Sequence, residues 1–179
     1  MDAELDRILD PGYLEGLAEL SVTELRARRE ECQAVETGLS YLRRLVQGHR
    51  DIVGGEVERR AGGRPAGDLA DLVERLPDIL SDRIHAPGPG RLPAAMAPGD
   101  LSGRLAERLG AITAKVPLER LAEVGDDELA ATAAELDELE QEVSGLRRAL
   151  FDRIDPLQAE ITERYKAGEA SVDDLLEGA

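Results

Sequence analysis

Two stretches of the chain, 104 residues apart, carry nearly the same order of polar groups. The first is Glu36, Ser40, Arg43, Gln47 and Asp51, and the second is Glu140, Ser144, Arg147, Phe151 and Asp155. Each steps by 4, 3, 4 and 4 residues, about one helical turn at a time, so its five side chains share one face of a helix. The chemistry such a face offers is base recognition. A carboxylate accepts the two N–H donors on the Watson–Crick edge of guanine, and an arginine donates to O6 and N7 on the other edge. Arg44 and Arg148 add a second positive charge beside each stripe, suited to phosphate. Two stripes brought together around a pseudo-two-fold predict a ligand with two guanines and two phosphates, or two copies of it. The competing reading is a solvated helix face, duplicated as structure and stabilised by i,i+4 pairs. Against it, Glu36 and Arg43 are seven residues apart, too far for such a pair, and serine and glutamine add little to a helix.

Stiff elements must present these stripes, and the flanking residues supply them. Leucine, valine and cysteine recur at heptad spacing, with a positions at 25, 32, 39, 46 and 53 and d positions at 28, 35, 42 and 49. Adding 104 reproduces the seam at Leu129, Leu136, Leu139, Val143, Leu146, Leu150 and Leu157. In this lettering each stripe falls at e, b, e, b and f, beside the seam. The first long helix starts after Ser21, where Ser21-Val22-Thr23-Glu24 has capping-box spacing, and stops at Gly62-Gly63. Gly54-Gly55 is a weak point within it. The second runs from about 126 to 166, with Pro156 expected to kink it just past the stripe. Each is about 60 Å long. The expected fold is all-α, a single coiled-coil domain with long helices at about 21–61 and 126–166. Chain geometry alone allows a parallel or an antiparallel pair, and short connections favour antiparallel neighbours. Residues 1–20 read as one weak helical turn and a loop. The connecting segment, 62–124, should hold short amphipathic helices at 68–80 and 101–112 and a proline- and glycine-rich loop at 85–99. A last short helix is expected at 172–176.

At these stripes the chain resembles the RsiG-type anti-sigma factors of actinobacteria, whose repeated signature is Glu-x3-Ser-x2-Arg-x3-Gln-x3-Asp. The resemblance covers the two long helices. The first stripe matches at all five positions, and the second departs at Phe151, where the pattern has glutamine. The resemblance implies an antiparallel coiled-coil hairpin that binds cyclic di-GMP, as a dimer of the nucleotide, and sequesters a WhiG-type sigma factor, a relative of the flagellar sigma factor. It implies that sporulation genes stay off while the nucleotide is plentiful. Carried over by position, Glu36, Asp51, Glu140 and Asp155 are guanine-edge acceptors. Arg43 and Arg147 contact base or phosphate, and Ser40, Ser144 and Gln47 make supporting hydrogen bonds. Phe151 can stack on a base or leave that contact unmade, so the half-sites are not equivalent. Gly48 and Gly145 either let the ligand approach the backbone or are simply tolerated.

Composition narrows the alternatives. The net charge of −16 argues against DNA or an anionic membrane as partner and favours a basic protein. All but two of the 22 basic residues are arginine, which suits planar, bidentate recognition and also follows from a GC-rich genome. No apolar run approaches the length of a membrane span and no signal-peptide pattern opens the chain, so the expected setting is cytoplasmic. Cys32, at an a position, reads as a small core residue. His49 at d reads as a seam histidine at a wet end shared with Arg153, and His85 as a loop residue. These three residues make no metal set, so no metal is expected. No phosphate-cradling loop or catalytic triad is present, and the chain reads as a non-enzyme. A structural coiled-coil adaptor with no nucleotide ligand is the alternative function. An enzyme acting on a cyclic dinucleotide is a weaker third.

Overall fold

The computed structural model describes residues 2–63, 73–74 and 103–168. The described residues include four α-helices with set bounds, α1 (Asp2–Leu9), α2 (Val22–Ala61), α3 (Arg104–Lys115) and α4 (Asp126–Lys166), with short 3-10 turns between α1 and α2 and between α3 and α4. The described residues are helical, with no strand. The expected helices at 68–80 and 172–176, the loop at 85–99, His85 and Leu101 lie outside them, apart from Val73 and Glu74.

Local signals set the ends of the long helices. The Ser21 hydroxyl accepts from Glu24 N (3.2 Å) while Glu24 Oε2 accepts from Ser21 N (2.7 Å), so the capping box forms as the spacing predicts. At the far end Gly63 takes a left-handed φ of 72°, which stops α2 where glycine permits the turn. The helix runs unbroken through Gly54-Gly55. Helix α4 likewise continues through Pro156 for ten more residues. The carbonyl that loses its partner there belongs to exposed Asp152, where solvent can take it.

The heptad seam is the core. Leu25, Cys32, Leu39, Val46 and Val53 are buried along α2, and Leu129, Leu136, Val143, Leu150 and Leu157 along α4. The direction of pairing is settled by contacts between the helices. Arg29 donates to Gln158 Oε1 (2.8 Å) and Arg60 to Asp126 Oδ1 (2.7 Å), so the α4 number falls as the α2 number rises. The hairpin is antiparallel. Residues equivalent by the 104-residue offset are therefore related by a pseudo-two-fold and do not face one another. His49 and Arg153 do not share a wet end: His49 Nδ1 sits 2.9 Å from the Leu45 carbonyl, while Arg153 donates to the Ile8 and Leu9 carbonyls (both 3.3 Å).

Residues 2–20 are more ordered than the weak turn and loop expected of them. Helix α1 buries Leu5 and Ile8 completely, and Arg153 caps its C-terminal carbonyls. Tyr13 packs behind it and covers Arg28, a d position that would otherwise leave a charge in the seam. The Arg28 guanidinium donates to the Tyr13 carbonyl (2.8 Å) and lies 5.5 Å from its ring centroid. The Cys32 thiol points at the Tyr13 hydroxyl (3.5 Å), and burial pushes its pKa up, which leaves it an inert core residue. Helix α3 buries Leu105, Leu109 and Ile112, and its first helical residue is Arg104, with Gly103 at the N-cap. Gly103 has φ 150°, and an added Cβ would lie 2.8 Å from Asp2 Oδ1, so only glycine lets α1 and α3 meet there.

Both short helices dock on one flank of the seam. Arg7 of α1 pairs with Glu31, while Arg108 and Lys115 of α3 pair with Glu142 (2.6 Å) and Glu135 (2.7 Å). Glu31, Glu135 and Glu142 all occupy heptad position g. The stripes occupy the opposite flank, at e and b. Among the described residues, neither α1 nor α3 hydrogen-bonds to Glu36, Arg43, Glu140 or Arg147.

Where α2 ends, the seam turns polar. Glu56 (4% exposed) accepts from Arg59 (2.8 and 2.6 Å) and from Arg60 (2.7 Å). Arg60 also donates to the Leu121 and Val124 carbonyls, tying the turn before α4 to the end of α2. Burial raises the Glu56 pKa, but the arginine hydrogen bonds and charges outweigh it and hold the carboxyl below its ordinary 4.5. A depressed carboxylate adds stability above its unfolded pKa and loses it as pH falls through the folded one. Stability should therefore hold from neutral pH to about pH 5 and fall below about 4.5. Glu56→Ala should cost about 2 kcal/mol at pH 7, because it removes the buried carboxylate that Arg59 and Arg60 share, and should flatten that acid fall. Urea unfolding at pH 7 and pH 4 measures both; an unchanged pH slope in the variant would remove Glu56 from the account.

Candidate functional site

The antiparallel seam brings the two stripes to one level and crosses them. In an antiparallel pair, e positions of one helix face e positions of the other. Arg43 Nε thus donates to Glu140 Oε1 and to Ser144 Oγ, both at 2.8 Å. Gln47 Nε2 adds a bond to Glu140 Oε1 (3.0 Å), and Ser144 Oγ donates to the same oxygen (3.1 Å). Across the pseudo-two-fold, Arg147 donates to Glu36 Oε1 from Nε (3.0 Å) and Nη2 (2.7 Å), and Ser40 Oγ donates to that oxygen at 2.6 Å. The working units are composites. One joins the acid and hydroxyl of α2 to the arginine of α4; the other joins the acid and hydroxyl of α4 to the arginine and amide of α2.

Seven residues do separate Glu36 from Arg43, but each finds an opposite charge across the hairpin. The ion pairs that spacing ruled out along the helix exist between helices. Burial raises the Glu140 pKa, yet the Ser144, Arg43 and Gln47 hydrogen bonds and the Arg43 charge outweigh it and keep the carboxyl ionised.

The pairing leaves capacity unused. All donors to Glu36 and to Glu140 arrive at Oε1, and no described residue donates to either Oε2. Arg43 spends only Nε, so its two terminal nitrogens, on a side chain 35% exposed, donate to no described residue. Arg147 likewise keeps Nη1. A carboxylate oxygen and guanidinium N–H groups therefore stand ready in each composite, the pair of groups that the two edges of guanine require.

The remaining expected residues sit further out. Phe151 is exposed, and its ring centroid lies 5.9 Å from the Arg147 guanidinium carbon. Asp155, Arg44 and Arg148 are exposed at f positions and Asp51, also at f, is partly so. An added Cβ at Gly48 or Gly145 would meet nothing within 4 Å, so packing requires neither glycine. Arg50, paired with Asp137, extends the network one turn beyond Gln47. It was missed because it lies outside the repeated signature, although its e position seven residues after Arg43 was the signal. A cavity of about 290 Å³ lined by Val57, Arg60, Asp126 and Leu129 lies at the end of the hairpin where α2 stops and shares no residue with the stripes. Among the described residues no cluster of three or more His, Cys, Asp or Glu is placed to hold a metal ion, and no helix is long and apolar enough to cross a membrane.

The family model described as RsiG-like matches residues 11–80 and 115–179, which takes in both long helices and both stripes. The chain belongs to the RsiG-like family. The family is one of regulatory anti-sigma factors, and it implies a sigma factor as partner. No curated protein matches the chain. Within this RsiG-like protein, α1 and nearly all of α3 fall outside the matched segments, so the helices covering the g flank are not what the match rests on.

Proposed function

We propose that the chain is a cytoplasmic anti-sigma factor whose grip on a WhiG/flagellar-type sigma factor is gated by cyclic di-GMP. The nucleotide, as a dimer, sits on the e flank of the hairpin. Glu36, Ser40, Arg43, Gln47, Glu140, Ser144 and Arg147 form the inner contacts. Phe151, Arg44, Arg148, Asp51 and Asp155 complete the rim. When the ligand is plentiful the sigma factor is held and its sporulation and differentiation genes stay silent. The observation that carries this reading is the unused half of each composite. Structural ion pairs gain from full use of both partners, yet here each carboxylate keeps an oxygen and each arginine keeps terminal N–H groups beside a hydroxyl. The bound ligand adds phosphates to an otherwise acidic protein, so the arginines supply charge where it is needed. The surrounding acidic surface favours a basic partner face.

The adaptor reading has its own support: the e-flank charges are already paired without any ligand. Titration calorimetry separates the two. Cyclic di-GMP should bind the hairpin in the presence of a WhiG-type sigma factor at two molecules per chain. By linkage the sigma factor and the nucleotide must each tighten the other by the same factor, about tenfold or more. Sigma binding indifferent to the nucleotide would leave the adaptor standing.

A further inference from the structure

The two composites occupy equivalent heptad positions, but they are wired differently. Glu140 accepts from Arg43, Ser144 and the Gln47 amide. Glu36 accepts from Arg147 and Ser40 only, because the position equivalent to Gln47 is Phe151. A phenyl ring has no donor to give a carboxylate. It lies instead against the Arg147 guanidinium, 5.9 Å from ring centroid to guanidinium carbon. The same guanidinium is held on its other duty by two hydrogen bonds to Glu36, so its position is fixed. Phe151 keeps 40% of its surface in solvent, and among the described residues only Val73 is another large apolar side chain so exposed. This is one of four aromatic residues in the chain, and the other three are tyrosines.

An exposed ring beside a fixed guanidinium, in the middle of a polar face, combines an apolar platform with a cation. That combination binds flat heteroaromatic rings by stacking and cation–π attraction. Resting on the nucleotide reading above, we infer that Phe151 and Arg147 form a stacking shelf for a purine base. The Glu36 half-site then grips a base by its face, whereas the Glu140 half-site grips by edge hydrogen bonds. Stacking tolerates any base, because every base has a π-face. Edge contacts distinguish guanine from adenine. Phe151 thus relaxes base selectivity in one half of the site only.

The chain contains no tryptophan, so Phe151→Trp places a single indole on the shelf. Cyclic di-GMP should quench its fluorescence at the concentrations where calorimetry registers binding. Phe151→Leu keeps an apolar side chain without a π-face and should bind cyclic di-GMP about tenfold more weakly. Its thermal midpoint should match the parent's, since the position is exposed. Phe151→Gln, which restores the amide found in the other half, should cut binding of cyclic di-AMP about tenfold relative to cyclic di-GMP. Parent-like affinity in Phe151→Leu, or an indole left unquenched by bound nucleotide, would overturn the stacking role while leaving the nucleotide reading intact. If the parent protein binds no purine dinucleotide, with or without a sigma factor, both readings fall together.

Discussion

Exchanging the partners of one crossed pair, Arg43→Glu with Glu140→Arg, should leave the hairpin folded and abolish nucleotide-dependent sigma capture. The swap keeps opposite charges facing each other across the e flank, so the thermal midpoint should stay within a few degrees of the parent's. Cyclic di-GMP meets the reversed arrangement, with a carboxylate where its phosphates and acceptor edge need a cation. Losing charge-assisted contacts and gaining repulsion should weaken nucleotide-dependent capture by about 100-fold. Single alanine variants are harder to read, because each strands a partner. Arg43→Ala leaves Glu140 with Ser144 and Gln47, whereas Arg147→Ala leaves Glu36 with Ser40 alone. The second should therefore cost more stability, by about 1 kcal/mol. A pull-down of the sigma factor at graded cyclic di-GMP, beside a melting curve, measures both quantities. A swap that captures the sigma factor with the parent's nucleotide dependence would reduce the crossed pairs to scaffold.

The largest effect on stability should come from the seam beneath those pairs. Leu139 is fully buried at a d position, next in sequence to Glu140 and one turn before Val143. Leu139→Ala should cost about 3 kcal/mol, the transfer of the lost side chain plus the cavity left between two rods that cannot fully collapse. Stability of a domain this size is about 5–15 kcal/mol, so a large fraction goes with one residue. Denaturant unfolding measures it as a lower midpoint at unchanged slope. The site should suffer too, since Glu140 loses the packed backbone that aims it at Arg43. A midpoint shift worth less than about 1 kcal/mol would mean that the seam is not the core described above.

Much of this molecule is legible along the chain because heptads and caps are local. The seam positions, the Ser21 capping box, the Gly62-Gly63 stop and the stripes each depend on residues within a few turns. The antiparallel direction, the crossing of the stripes and the cover over Arg28 depend on segments brought together from far apart, and no local period encodes them. His49 and Arg153 show the difference. A 104-residue offset identifies equivalent positions, but only the direction of the partner helix says which positions meet. Residues 2–20 are poorly legible along the chain for a similar reason. Leu5 and Ile8 make too short a pattern to announce a helix, and α1 is held by the groove it enters and by Arg153 at its end. The amino-acid order thus determined two rods, their apolar edges and a repeated polar face. The tertiary structure decided that each acid serves the other repeat's arginine, because antiparallel packing sets e against e and a side chain can reach only what the fold puts opposite it.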